Sequence, residues 1–181
     1  MGKGKKTVIL GVTGSIAAYR ACEIIGLLKK ELINVQVLLT KEAGYFITPL
    51  TLQTLSCNKV IEDMFGQPEE WDPVHISLAE KADLVLVAPA TANIIGKLAN
   101  GICDDILTCV IFATKAPVLL APAMNVHMYK HQIVQENIAK LKKTGYKFIG
   151  PVKGHLTCGY TDIGHIAKTS DIINEAKRLL K

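Results

Sequence analysis

TVILGVTGSIAAYRA, Thr7 to Ala21, sets a short apolar run against a glycine-broken turn and then a helical pattern. The run Thr7 to Val12 is partly β-branched and lacks the alternation of a half-wet strand, so it predicts a parallel strand covered on both faces. Gly11 and Gly14 read as permitting a tight turn, after which the amides of Gly14, Ser15 and Ile16 open a helix at its positive end. That geometry receives a phosphate. Thr13 and Ala17 or Ala18 break the spacing of the G-x-G-x-x-G dinucleotide fingerprint, and the Lys-Ser/Thr ending of a P-loop is missing. The expectation is a single phosphate, as on a mononucleotide; a glycine turn that only packs helix on strand is the alternative.

Outward from this unit, similar apolar runs lie at Val35 to Thr40, Leu84 to Ala88, Val118 to Ala121 and Lys147 to Ile149. Apolar repeats at three and four, at Ile16 to Leu32, Ile94 to Phe112, Ile133 to Lys143 and Asp171 to Leu180, predict helices between and after them. Strands alternating with helices predict an α/β fold, a single Rossmann-like (flavodoxin-like) doubly wound parallel sheet with helices on both faces. With 49% hydrophobic residues and no linker or repeat, residues 1–181 read as one domain, with a flap at 151–167. PATANIIGKLANGICDD (Pro89 to Asp105), PAMNVHMY (Pro122 to Tyr129) and PVKGHLTCGYTDIGHIA (Pro151 to Ala167) each begin where a strand candidate stops. All three are expected at the sheet edge where open α/β folds bind ligands.

A net charge of +5 with dispersed lysines, and only 6% aromatic residues for stacking on bases, argues against a nucleic-acid partner and suits a small phosphorylated substrate. The five cysteines form no C-x-x-C pair, which disfavours a disulfide framework or zinc site and fits a reduced, cytoplasmic location. TVILGV is too short for a signal or membrane segment, so no membrane partner is expected. His127, His131, His155 and His165 lack metal-ligand spacing, and no metal is assigned.

Thr40 and Lys41 place a hydroxyl and a cation at the end of the second strand, where a hydroxyl is also a common helix cap. Asp72 as cap and Pro73 at the first helical position put His75 in a first turn, where the helix dipole favours a neutral imidazole suited to a general base; taken alone, such a histidine is more often an ordinary surface or hydrogen-bonded one. Asn125, after Pro122, offers an amide to a carboxylate or a cap to the next turn, and Met124 and Met128 suit packing. Cys158 stands in a glycine-rich setting after the last strand candidate and is the strongest single chemical clue.

GSIAA after the first strand, His75 before the third, PATAN with KLANGICDD, PAMNVHM and LTCGY together resemble the homo-oligomeric flavin-containing cysteine decarboxylase family, from about Thr7 to Ala167. The most diagnostic piece is P-x-M-N-x-x-M, carried by Pro122, Met124, Asn125 and Met128. The resemblance is nearest to members that act on phosphopantothenoylcysteine in coenzyme A biosynthesis. It implies FMN at the sheet edge, its phosphate on Gly14, Ser15 and Ile16 with Thr40, and its ring and ribityl chain around Thr91, Ala92, Asn93, Ile94 and Ala123. It further implies His75 in the oxidation step, Asn125 on the substrate carboxylate, Met128, Gly159 and Tyr160 at the substrate, and Cys158 as proton donor in the closing reduction. Oxidation to a thioaldehyde would let CO₂ leave as an enethiolate forms, ending in phosphopantetheine with no net redox change.

The family's C-G-D-x-G-x-G-R-M pattern is altered here, with His165 and Ile166 at its arginine and methionine. The resemblance also implies a homotrimer or a dodecamer of trimers, fused to or associated with a phosphopantothenate–cysteine ligase, this chain being a stand-alone enzyme or an excised domain. The alternative is a peptidyl-cysteine decarboxylase modifying a precursor peptide C-terminus, against which the intact L-T-C-G speaks. A phosphatase-inhibiting flavoprotein lacks its acidic extensions here, and a flavin prenyltransferase is disfavoured by Asn125.

Overall fold

In chain order the elements are β1 (Thr7–Val12), a 3-10 turn (Ile16–Tyr19), α1 (Arg20–Lys30), β2 (Asn34–Leu39), α2 (Pro49–Ser56), α3 (Val74–Lys81), β3 (Leu84–Ala90) and α4 (Ala92–Ala99). There follow α5 (Ile106–Ala113), β4 (Val118–Pro122), α6 (Val126–Lys130), α7 (Gln132–Lys143), β5 (Lys147–Phe148), β6 (Val152–His155), β7 (Thr161–His165) and α8 (Thr169–Leu179). The computed structural model describes residues 5–64, 73–155 and 161–181. β1 to β5 form one parallel sheet in the order β2-β1-β3-β4-β5, the flavodoxin-like order, whose switch point lies between β1 and β3. All five strands fall where the apolar runs predict them, within two residues at either end.

The pleat of β1 explains the two layers. Val8, Leu10 and Val12 pack with Ile24, Ile25 and Leu28 of α1 and Ile172 and Ile173 of α8, whereas Ile9 joins Ile94, Ile95 and Leu98 of α4, Leu107 and Val110 of α5 and Leu141 of α7. Every residue of β3 and β4 is buried, as strands covered on both faces require. Among the described residues no helix is long and apolar enough to cross a membrane.

The glycine reading needs correction. Gly11 lies within β1, and a Cβ there would come within 2.5 Å of Leu107 Cδ1, so its role is to admit α5 against the sheet. Gly14 serves close approach too: its Cβ would lie 2.5 Å from Glu42 Cβ.

The helix expected over Ile94 to Phe112 is two helices. Gly101, at φ +72°, reverses the chain after α4. Asp105 then starts α5 with a capping box, accepting from the Thr108 amide at 2.8 Å while the Thr108 hydroxyl meets the Asp105 amide. Pro73 is the cap of α3 rather than its first residue, and Asp72 lies outside the described residues.

In the expected flap, β6 and β7 pair as an antiparallel hairpin apart from the main sheet. Met124 N donates to Gly164 O at 3.1 Å, and Lys130 pairs with Asp162 at 3.1 Å, so β7 docks on the segment that follows β4. Gly164, at φ +140°, has no room for a side chain, because a Cβ would fall on the Met124 carbonyl oxygen.

Candidate functional site

The carboxyl ends of β1, β2, β3 and β4 surround a cavity of about 280 Å³. Gly14, Ser15, Thr40, Thr91, Ala92, Asn93, Ile94, Ala123 and Met128 line it, so the structure gathers nine of the predicted residues from four crossover segments. Thr13, Glu42, Asp105 and Met124 line it as well and were not singled out as site residues by the sequence reading. A second cavity, of about 520 Å³, shares Thr40, Glu42 and Asp105 with the first and extends past Lys41, Glu62, Asp63 and Lys97. The two make a groove on the scale of cofactor sites, roughly 300–1,000 Å³.

Three hydroxyls define the polarity of the smaller cavity. Ser15 Oγ accepts from Ala17 N at 3.3 Å, Thr40 Oγ1 from Ala43 N at 3.4 Å and Thr91 Oγ1 from Ile94 N at 3.4 Å. A hydroxyl that accepts from a backbone amide keeps its own proton to donate elsewhere. The first turn of each following element therefore orients a donor at a strand end.

The Ser15 amide is not among the donors, because it is spent on Thr13 O at 2.8 Å. The expected trio of amides reduces to Gly14 and Ile16, joined by the Ser15 hydroxyl. Ile16 itself is 55% exposed and is not among the residues that line the cavity.

Glu42 and Asp105 are the charged residues lining the smaller cavity, and no lysine or arginine is among the described residues there. Asp105 is neutralised locally: Lys97 reaches it at 2.9 Å and Asp104 at 2.6 Å. Burial pushes the Asp105 carboxyl up, but the Thr108 amide, the Lys97 ammonium and the Thr108 hydroxyl outweigh it and hold the group below the usual carboxylate range. For Lys97, burial acts downward and the two aspartates prevail, holding the ammonium above its ordinary value. An anion at this cavity would thus be met by neutral donors.

His75 occupies the first turn of α3, as expected, but does not line the cavity. Asn125 caps α6, its Oδ1 accepting from His127 N at 2.8 Å, between the lining residues Met124 and Met128. A carboxylate only accepts, so it could meet this side chain only through Nδ2. Cys158, Gly159 and Tyr160 lie outside the described residues, on the connection between β6 and β7.

The family described as Flavoprotein matches residues 2–181. The Coenzyme A biosynthesis bifunctional protein CoaBC of Bacillus subtilis is 47% identical over 173 residues, which span 96% of this chain and 43% of that protein. The chain therefore spans less than half the length of that relative. A protein of Streptococcus mutans named "Probable phosphopantothenoylcysteine decarboxylase" is 44% identical, over 97% of this chain and 99% of its own length. Among solved structures, a cysteine-to-serine mutant of PPC decarboxylase complexed with pantothenoylaminoethenethiol superposes with a TM-score of 0.86 at 30% identity, covering 96% of this chain and 97% of the other. The FMN-dependent cysteine decarboxylase TvaF from thioviridamide biosynthesis gives 0.82 at 28% identity, covering 98% and 99%.

Proposed function

The chain belongs to the Flavoprotein family, and from that premise we propose that it binds FMN and decarboxylates the cysteine moiety of phosphopantothenoylcysteine, giving phosphopantetheine for coenzyme A biosynthesis. One observation carries the reading: nine predicted residues line one cavity at the switch of the sheet, and they are those expected to touch the flavin and substrate. The S. mutans relative, similar over nearly the whole of both chains, supports the same substrate.

The donor set fits a flavin phosphate. The Ser15 and Thr40 hydroxyls and the Gly14 and Ile16 amides would hold it, in a cradle kept open because Gly14 has no side chain to strike Glu42. The ribityl chain and ring would lie along Thr91 to Ile94 and Ala123, beside apolar side chains. When bound, FMN supplies the two-electron oxidation of the cysteine moiety to a thioaldehyde, the electron sink for CO₂ loss, and the reduction that closes the cycle.

The chain's own groups do the rest. His75 would take the proton released on oxidation, and Asn125 would hold the carboxylate through Nδ2 until CO₂ departs. Met128 would flank the substrate with Gly159 and Tyr160, and Cys158 would deliver a proton to the decarboxylated product. His75 is not among the lining residues of the cavity of its own chain, which suits a site completed by a second copy. A homotrimer or dodecamer of trimers belongs to the same proposal. So do a one-domain enzyme over 1–181, its association with a ligase as in CoaBC, and a cytoplasmic location.

The test is to incubate purified protein with phosphopantothenoylcysteine and, separately, with a peptide ending in cysteine, and to identify products by mass. Phosphopantetheine is expected from the first and little change in the second; the reverse would make the chain a peptidyl-cysteine decarboxylase. In Cys158→Ser the enethiol, two hydrogens lighter than phosphopantetheine, should accumulate; ordinary product at the parent rate would remove Cys158 from the mechanism.

A further inference from the structure

Thr13 is 2% exposed, yet it lines the cavity, and nothing in its sequence context marks it as more than the residue before a glycine. Its hydroxyl joins two segments that are far apart in the chain. Thr13 Oγ1 donates to the Pro89 carbonyl at 2.7 Å and accepts from the Thr91 amide at 3.1 Å. Here the β3–β4 ladder is irregular between Val87 and Ala90, so the end of β3 relies on this side chain for part of its pairing. A threonine has one hydroxyl proton, and the short bond to Pro89 uses it.

That commitment has a consequence for Thr91. The two hydroxyl oxygens are 3.4 Å apart, and Thr13 has no second proton to offer. Thr91 Oγ1 accepts from Ile94 N as the cap of α4, and its own proton can turn to the second lone pair of Thr13 Oγ1 or to a ligand that enters the cavity. We infer that Thr13 is a positioning residue for the flavin site: its hydroxyl holds the Thr91 to Ile94 segment at a set distance from the Gly14 turn and so sets where the Thr91 hydroxyl stands toward the bound flavin. The inference rests on the FMN reading above.

The experiment titrates FMN into the flavin-stripped full chain, followed by flavin fluorescence, for the parent, Thr13→Ser, Thr13→Val, Thr91→Val and the Thr13→Val/Thr91→Val pair. Melting temperature is recorded for each without FMN. Thr13→Val and Thr91→Val should each weaken FMN binding about tenfold, the scale of one hydrogen bond to a ligand, and the pair should be no weaker than the worse single variant. Thr13→Ser should stay within about twofold of the parent, a rescue that follows the hydroxyl and not the packing of the methyl. Losses that multiply in the pair, parent affinity in Thr13→Val, or a Thr13→Ser as weak as Thr13→Val would each overturn the inference. If Thr13→Val does not fold, Thr91→Val alone decides: parent affinity there overturns the part given to the Thr91 hydroxyl. A parent that ignores FMN refutes the cofactor reading itself, whereas a parent that binds while the variants are undisturbed refutes only the part given to Thr13.

Discussion

Gly14→Ala tests the site at its tightest point. The added Cβ would lie 2.5 Å from Glu42 Cβ and 3.2 Å from Glu42 C. Carbon atoms rest at about 3.5–4.0 Å, so the two loops must part by roughly 1 Å. Two of the struck atoms belong to the base of Glu42, next to the buried Ala43, so no side-chain rotation relieves the clash. Overpacking of this kind costs about 1–3 kcal/mol. The same displacement separates the Gly14 and Ile16 amides and the Ser15 hydroxyl from the Thr40 hydroxyl. Loss of one charge-assisted bond to a phosphate is worth about 1.5–3 kcal/mol, so FMN affinity should fall by roughly ten- to a hundredfold. The assay is FMN titration with thermal unfolding of the flavin-free protein, and Gly26→Ala is the control. Gly26 lies inside α1 with nothing within 4 Å of its built Cβ, so alanine there should add about 0.5–1 kcal/mol of stability and leave FMN binding alone. Glu42→Gly, which removes the struck Cβ, should recover part of the flavin affinity lost in Gly14→Ala. A Gly14→Ala protein with parental affinity and melting temperature would refute the close-approach argument.

Two further outcomes are expected. Gly164→Ala should undock the hairpin from Met124, because it adds both a clash with the Met124 carbonyl and strain at φ +140°; hydrogen exchange at the Met124 amide should quicken strongly, and unchanged protection would contradict the docking. Asp105, whose folded carboxyl lies below its ordinary value, contributes stability that is present above the unfolded pKa of about 4 and lost as pH falls through the lower folded one. Asp105→Asn should therefore lower stability at pH 7 by about 1 kcal/mol and flatten the acid limb of the stability curve, and an unaltered acid limb would mean that the Thr108 amide and the Lys97 pair together contribute nothing.

The parts of this molecule that were legible in the sequence are those set by local pattern. Four largely buried parallel strands and a short, more exposed fifth come from five short unalternating apolar runs, and the first four runs also mark the strand ends at which the cavity forms. Two helix boundaries were legible in principle: Thr48 before Pro49 is a cap-and-proline start for α2, and Asp105 with Thr108 is a capping box inside the stretch read as one long helix. The second was masked by apolar residues that continue at helical spacing across Gly101. Thr13 and Glu42 were beyond any local reading. Thr13 finds Pro89 and Thr91 76 and 78 positions away, and Glu42 presses on Gly14 only because β1 and β2 lie side by side. Periodicity thus locates a ligand site at the end of a sheet, but which hydroxyl donates into it depends on partners brought by a crossover. A buried threonine with one proton and two backbone neighbours has its direction fixed by them, and here those two bonds tie the segment that carries Thr91 to the turn that carries Gly14.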